Sequence, residues 1–157
     1  LKSKHLAGAA IDVFPVEPKS NNEKFESPLV GLPNVILTPH VGGSTEEAQE
    51  AIGREVASAL LRYLNTGSTA LAVNFPQLDP PALLGRHRIL NIHKNVPGVL
   101  SQVNTIISNL HANVESQILA TDANVGYLVM DLDRDVSEEV RRQVSGLDTD
   151  IRTRILY

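Results

Sequence analysis

The chain contains no cysteine and no tryptophan, and only six of its 157 residues are phenylalanine or tyrosine. The absence of cysteine excludes a disulfide framework and a thiolate nucleophile, so a reducing compartment is permitted and the cytoplasm is the expected location. No apolar run reaches the about 18 residues that a membrane span requires. The apolar run that begins at Leu6 is interrupted by Asp12, which favours a strand over a targeting segment.

Basic residues are also scarce, because 14 lysines and arginines face 18 aspartates and glutamates, and the net charge is −4. The one compact basic cluster, at positions 86–88, is too small for a nucleic-acid partner, and a small-molecule ligand fits better. The hydrophobic fraction of 42% and charged fraction of 20% are typical of a globular protein. The chain begins at Leu1 and has no Gly-x-Gly-x-x-Gly sequence, so we expect it to be part of a longer nucleotide-binding enzyme.

Two segments, 8–18 and 37–44, place ionisable residues at the ends of apolar runs. The first runs through Asp12 to Glu17, and the second contains His40 directly after Pro39. The runs Gly8–Val13 and Asn34–Leu37 show no alternation of polar and apolar residues, which is typical of parallel strands covered on both faces. The pattern predicts a parallel α/β region with an acid/base site at the strand ends.

A long helix is predicted from Thr45 to Leu64. Ser44 is the expected N-cap, and Glu47 lies three positions later, as in a capping box. A stripe expected to be buried follows at helical spacing: Ala48, Ile52, Val56, Ala59, Leu60 and Tyr63. Gly42 and Gly43 precede the helix and favour either an anion site at its start or simply a tight turn.

The last third of the chain shows the order βαββαβ, which predicts a ferredoxin-like antiparallel sheet backed by two helices. The predicted elements are strand 87–93, helix 97–110, strands 113–119 and 125–131, helix 136–144 and strand 150–157. Prolines at 76, 80 and 81 favour a linker before this unit. Asp131, Asp133 and Asp135 are expected to be solvated, and the histidines lack metal-ligand spacing, so no metal site is predicted.

The segments 8–18, 34–49 and 73–76 resemble the closing part of the D-isomer-specific 2-hydroxyacid dehydrogenases, in the branch that has a C-terminal ACT domain. This resemblance implies four regions. They are the end of a doubly wound NAD-binding domain (1–43), a segment that returns to the substrate domain (44–76), a linker (77–85) and an ACT regulatory domain (86–157). It further implies an NAD-dependent enzyme of serine biosynthesis that oxidises 3-phosphoglycerate, although the chain alone is expected to be inactive.

The resemblance also implies roles for individual residues at the strand ends. His40 would be the catalytic acid/base, and Glu17 would orient it and favour the imidazolium form. Asp12 would contact the nicotinamide end of NAD, with His40, Val41, Gly42 and Gly43 beside the cofactor. Taken alone, Glu17 could be a solvated turn residue and His40 an ordinary loop histidine.

In the ACT region, the segment 92–100 resembles the first strand–helix turn of ACT domains. The resemblance implies L-serine as effector, held between two copies of the domain by His93, Asn95 and Asn113, and hence a homo-oligomer. Gly85-Arg86 departs from the Gly-Gly pair of the relatives and places hinge freedom there in doubt. Two alternatives stay open: an amino-acid-binding ACT module without catalytic activity, and another D-2-hydroxyacid dehydrogenase.

Overall fold

The computed structural model describes residues 1–20, 22–82 and 87–157. They form two compact units, Leu1–Glu55 and Val56–Tyr157. The predicted α/β class is confirmed, including the βαββαβ order of the second unit. No helix in the part of the chain that the structure describes is long and apolar enough to cross a membrane.

The first unit contains two short parallel strands, β1 (Ala9–Ile11) and β2 (Val35–Leu37), paired with Ala9 opposite Val35. Gly8 allows the backbone segments before β1 and β2 to approach each other, since a Cβ there would lie 2.9 Å from the carbonyl oxygen of Asn34. The Asn34 side-chain amide donates to the carbonyl of Ala7 at 2.6 Å. Because the strands are parallel, the residues that follow both of them emerge at one edge.

Helix α1 (Glu46–Thr66) begins one residue after the predicted start and ends two after the predicted end. Its cap differs from the expectation at Ser44: the Thr45 hydroxyl accepts the backbone N–H of Ala48 at 3.1 Å. The N-cap is Thr45 rather than Ser44 because the first helical residue is Glu46.

The predicted burial of the α1 stripe is wrong for this structure, because no α1 residue is buried. Ile52, Val56 and Leu60 keep 47%, 54% and 58% of their surface exposed. Helical periodicity indicates which face is apolar but not whether anything packs on that face.

The second unit contains an antiparallel four-stranded sheet in the order β4-β5-β3-β6 and two further helices. The strands are β3 (His87–Lys94), β4 (Val114–Thr121), β5 (Val125–Leu132) and β6 (Asp150–Leu156), and the helices are α2 (Val99–Asn109) and α3 (Ser137–Val144). Gly98 precedes α2 with a φ of 93°, a left-handed conformation that glycine adopts without strain. Strand β4 lies at an edge of the sheet, as the predicted topology requires.

Both faces of this sheet are covered. Ile89, Leu128 and Met130 form a core with buried residues of α2 and α3. On the other face, Leu90, Tyr127, Val129 and Leu156 pack against Leu78 and Phe75, from the segment that follows α1. Positions 83–86, which include the Gly85-Arg86 departure, lie outside the described residues.

Asp131 is the clear exception to the solvated aspartates expected at the end of β5. Its carboxylate makes a two-pronged ion pair with Arg88 of β3, at 2.6 and 2.7 Å, and both side chains are almost fully buried. Arg88 also donates to the carbonyl oxygens of Thr66 and Pro81. Asp131 and Arg88 are register partners on the neighbouring strands β5 and β3, which places their side chains on the same face of the sheet.

Candidate functional site

The structure brings His40 and Glu17 together after the two parallel strands. Nδ1 of His40 lies 2.9 Å from the Glu17 carboxylate, whose second contact is the backbone N–H of Phe14 at 3.1 Å. A carboxylate only accepts hydrogen bonds, so Nδ1 carries the proton and Nε2 is left for another partner. His40 adopts a left-handed φ of 54°, which is uncommon outside glycine and is typical of functional turns.

The ion pair shifts the pKa values of both groups. The hydrogen bond and charge of Glu17 raise the pKa of His40 above its usual value, and the hydrogen bond from His40 lowers the pKa of Glu17. The His40 side chain is 51% exposed, so Nε2 can meet a ligand from solvent. This arrangement can take up and release a proton at the imidazole.

Asp12 follows β1 and is held in place by the loop after β2. Its Oδ1 accepts the Thr38 hydroxyl at 2.6 Å and the backbone N–H of Val41 at 2.9 Å, while Oδ2 accepts the N–H of Gly42 at 2.8 Å. The Thr38 hydroxyl is the largest cause of the lowered pKa of Asp12, followed by the two backbone donors. Asp12 therefore stays ionised, and Oδ2 keeps acceptor capacity for a further donor.

Gly42, the first of the two glycines before α1, leaves room for the carboxylate of Asp12. A Cβ on Gly42 would lie 2.9 Å from Oδ2 of Asp12, so a larger residue there would displace the carboxylate. The Gly42 N–H already binds Asp12. This N–H is therefore not free to bind an anion, which was one of the two functions considered for the glycine pair.

A cavity of about 400 Å³ adjoins His40. Its lining combines two aromatic rings with cationic, acidic and hydroxyl groups: Phe14, Glu17, Pro18, Lys19, Ser20, Glu23, Phe25, Leu37, Thr38, Pro39 and His40. Phe14 and Phe25 meet edge to face with ring centroids 4.7 Å apart. The cavity is large enough for a small organic acid beside the imidazole.

The three residues predicted to bind an effector are not all together in one copy of the chain. His93 and Asn95 lie at one end of the sheet, where the Asn95 amide donates to the carbonyl of Asp122 in the β4–β5 turn at 2.7 Å. Asn113 lies at the start of β4, where its N–H donates to Asp133. The register pairs His93 with Gly126 and Val114 with Leu132, so the two groups are roughly 20 Å apart at about 3.3 Å per residue.

Two family models match the chain. Residues 1–42 match the D-isomer specific 2-hydroxyacid dehydrogenase, NAD binding domain, and residues 89–152 match the AHAS small subunit-like ACT domain. Over all 157 residues the chain is 50% identical to a D-3-phosphoglycerate dehydrogenase of Dictyostelium discoideum. It is 51% identical to that of Escherichia coli K12 and 42% identical to D-3-phosphoglycerate dehydrogenase 1 of Saccharomyces cerevisiae, again over the whole chain.

The chain is similar throughout to the C-terminal part of D-3-phosphoglycerate dehydrogenases. It spans 38% of the length of the first two of these relatives and 36% of the third. The similarity to D-3-phosphoglycerate dehydrogenases extends from the loop residues around Asp12 and His40 to the last strand of the sheet.

Sequence reasoning missed two features of the site that the similarity to D-3-phosphoglycerate dehydrogenases makes relevant. Thr38 lies in the segment 37–44, and no sequence pattern predicts its hydrogen bond to Asp12. Phe14 and Phe25 line the cavity, although only Phe14 lies in a motif. The position of Thr38, one residue past a strand end, was the available signal; Phe25 had none.

Proposed function

We propose that the chain supplies the acid/base pair and the nicotinamide-side loop of an NAD-dependent D-3-phosphoglycerate dehydrogenase. The observation that carries this proposal is the 2.9 Å contact between His40 and Glu17 at the ends of two parallel strands. Oxidation of a secondary alcohol requires a base for the hydroxyl proton, and a histidine whose Nδ1 is held by a carboxylate can serve as that base. The similarity to D-3-phosphoglycerate dehydrogenases supports 3-phosphoglycerate as the substrate.

The residues after β1 and β2 fit the nicotinamide end of NAD. Oδ2 of Asp12 accepts one hydrogen bond from the protein, which leaves a lone pair for a carboxamide N–H. The backbone N–H groups of Val41 and Gly42 donate to Asp12 and are not available to the cofactor. Together with Gly43, these residues would contact the cofactor by van der Waals packing of the backbone. NAD, when bound, accepts the hydride from the substrate carbon.

His40 has one task in the oxidation, which is to take the hydroxyl proton on Nε2 as the C–H bond of the alcohol breaks. Glu17 stabilises the imidazolium that results and holds the ring in one tautomer. In the reverse direction, the same Nε2–H returns the proton to the carbonyl oxygen. Each step conserves the proton between substrate and His40, while the electron pair leaves with the hydride.

The test is NAD reduction by the full-length protein that contains these residues, with 3-phosphoglycerate as substrate. His40→Ala should lower turnover by about 10²–10⁴-fold while NAD binding stays within a few-fold. His5→Ala, at another exposed histidine, is the control and should leave both unchanged. Activity on 2-hydroxyacids without phosphate, but not on 3-phosphoglycerate, would indicate another D-2-hydroxyacid dehydrogenase. No activity on any of them would favour the ACT module.

We also propose that L-serine binds between two copies of the ACT sheet. In the described sheet β4 is an edge strand, and pairing β4 antiparallel with its symmetry mate would place Asn113 beside the partner's β4–β5 turn. The Asn95 amide is attached to that turn through Asp122. Such pairing would close the distance that separates these residues within one chain.

Calorimetry with L-serine tests this effector proposal on the 157-residue chain. Asn95→Ala and Asn113→Ala should each weaken serine binding by about tenfold or more, since each removes hydrogen bonds to a zwitterion. Sedimentation should show a dimer of the unmodified chain. A monomer that binds serine, or equal binding by all three proteins, would contradict the shared site.

A further inference from the structure

A buried polar cluster lies behind His93, and the predicted roles leave it unexplained. Asn91 lies two residues before His93 on β3, and it is 1% exposed. Its Nδ2 donates to Oδ1 of Asp150 at 2.7 Å and to the Thr153 hydroxyl at 2.9 Å, and Thr153 also donates to Asp150 at 2.7 Å. The amide of Asn91 and the hydroxyl of Thr153 both find partners, as buried polar groups require.

These bonds determine which way the Asn91 amide points. A carboxylate cannot donate, so the NH₂ group must face Asp150, and the carbonyl Oδ1 must face the other way. That oxygen lies 2.8 Å from Nδ1 of His93. Because Oδ1 only accepts, Nδ1 of His93 must carry the proton, and in the neutral ring Nε2 has a lone pair.

Gly126, opposite His93 on β5, makes room for the ring. A Cβ at this position would lie 2.2 Å from Nε2 of His93. His93 is 3% exposed, so the ring is confined between β5 and Asn91. Burial lowers the pKa of His93, and the charge of Asp150 opposes that shift without cancelling it. The neighbouring Lys94 directs its ammonium to the carbonyl of Asp148.

We propose that Asn91, supported by Asp150 and Thr153, is a positioning residue that holds His93 as the Nδ1–H tautomer. His93 then offers a lone pair at Nε2, and the effector must supply a donor there, its ammonium or its hydroxyl group, rather than its carboxylate. This inference rests on the proposed binding of serine to the ACT sheet. It assigns a function to Asn91, Asp150 and Thr153, which no sequence motif singled out.

Nitrogen-15 NMR of the histidine rings of the 157-residue chain tests the tautomer directly, because protonated and unprotonated ring nitrogens resonate far apart. In the unmodified chain, His93 should show a protonated Nδ1 and an unprotonated Nε2. Asn91→Leu should give a mixture of tautomers and about tenfold weaker serine binding or worse. Asn109→Leu makes the same change on the exposed end of α2 and should alter neither measurement.

An exchange of side chains keeps the test sharp if Asn91→Leu fails to fold. The double variant Asn91→Asp with Asp150→Asn preserves composition and charge but moves the carboxylate next to Nδ1. The pKa of His93 should rise relative to the unmodified chain, and serine affinity should then fall as the pH is lowered through that pKa.

The outcomes separate the two proposals. If serine binds and neither Asn91→Leu nor the exchange variant changes its affinity, the positioning role is overturned. A protonated Nε2 in the unmodified chain would overturn it as well. If serine does not bind the unmodified chain, the effector proposal fails together with the ligand contact at Nε2, while the tautomers in the variants still decide whether Asn91 sets the ring.

Discussion

Each of the two units of the chain is stabilised internally by a different kind of interaction. Among the described residues of Leu1–Glu55, none is buried, and the loops after β1 and β2 are joined by hydrogen bonds from Thr38, Val41 and Gly42 to Asp12. In Val56–Tyr157 both faces of the sheet carry buried cores. The first unit organises a reactive site by polar contacts, whereas the second is stabilised mainly by removing apolar surface from water.

The position of a site and the stability of the unit that carries it are therefore separable. Asp12 and His40 keep their geometry through hydrogen bonds to charged acceptors, and such charge-assisted hydrogen bonds are the stronger kind. The four-stranded sheet depends instead on apolar side chains that are buried together, such as Ile89 and Met130. Substitutions in the two units should therefore have different consequences for stability and for activity.

The largest loss of stability is expected when the buried ion pair is broken. Asp131→Ala should lower the free energy of unfolding by about 3–5 kcal/mol, because Arg88 would be left charged, buried and unpaired. Urea unfolding of the 157-residue chain, followed by circular dichroism, measures this change. The double variant Arg88→Met with Asp131→Leu should recover most of the loss. The exposed pair of Arg54 and Glu50 is the control, since Arg54→Ala should cost less than about 1 kcal/mol.

A matched pair of truncations compares the two units directly. Leu128→Ala removes a fully buried side chain and should cost about 2–5 kcal/mol. Ile36→Ala in β2, where the side chain is 66% exposed, should stay within about 0.5 kcal/mol. Equal costs in urea unfolding of the chain would break the distinction between a polar unit and a packed one.

Glu17→Gln should change the pH profile of the proposed dehydrogenase activity without altering stability in the second unit. Glu17 raises the pKa of His40, and the amide would not, so the alkaline rise in the oxidation rate should move to lower pH. The rates are measured across pH in the full-length protein. Glu23→Gln, which lies beside the same cavity, is the control, and an equal shift there would mean that general charge rather than the contact sets the profile.

The smallest expected effect concerns the start of α1. Thr45→Ala should cost about 1 kcal/mol by removing the acceptor of the Ala48 N–H. Ser44→Ala should cost clearly less, since the cap is one residue later than the sequence suggests. Thermal unfolding by circular dichroism compares them, and the opposite order would restore Ser44 as the cap.

Much of the fold could be predicted because local patterns and global structure agree. The strands β3 to β6 alternate or run apolar as buried strands do, and Gly98 precedes α2 where a left-handed residue is required. The burial of Asp131 and the exposure of the α1 stripe could not be predicted. Both depend on what packs against a residue, and neither a charged strand end nor an apolar helix face identifies its neighbour.

The order of the elements and the candidate residues Asp12, Glu17 and His40 can be read from the chain alone, because strand periodicity and residues at strand ends are local properties. The folded structure is needed to find that Asp12 is held by Thr38 and Gly42, that Arg88 and Asp131 form a buried pair, and that Asn91 faces His93. These contacts join residues between 2 and 43 positions apart. Cross-strand register and burial select such partners, and both are properties of the folded chain rather than of any segment of it.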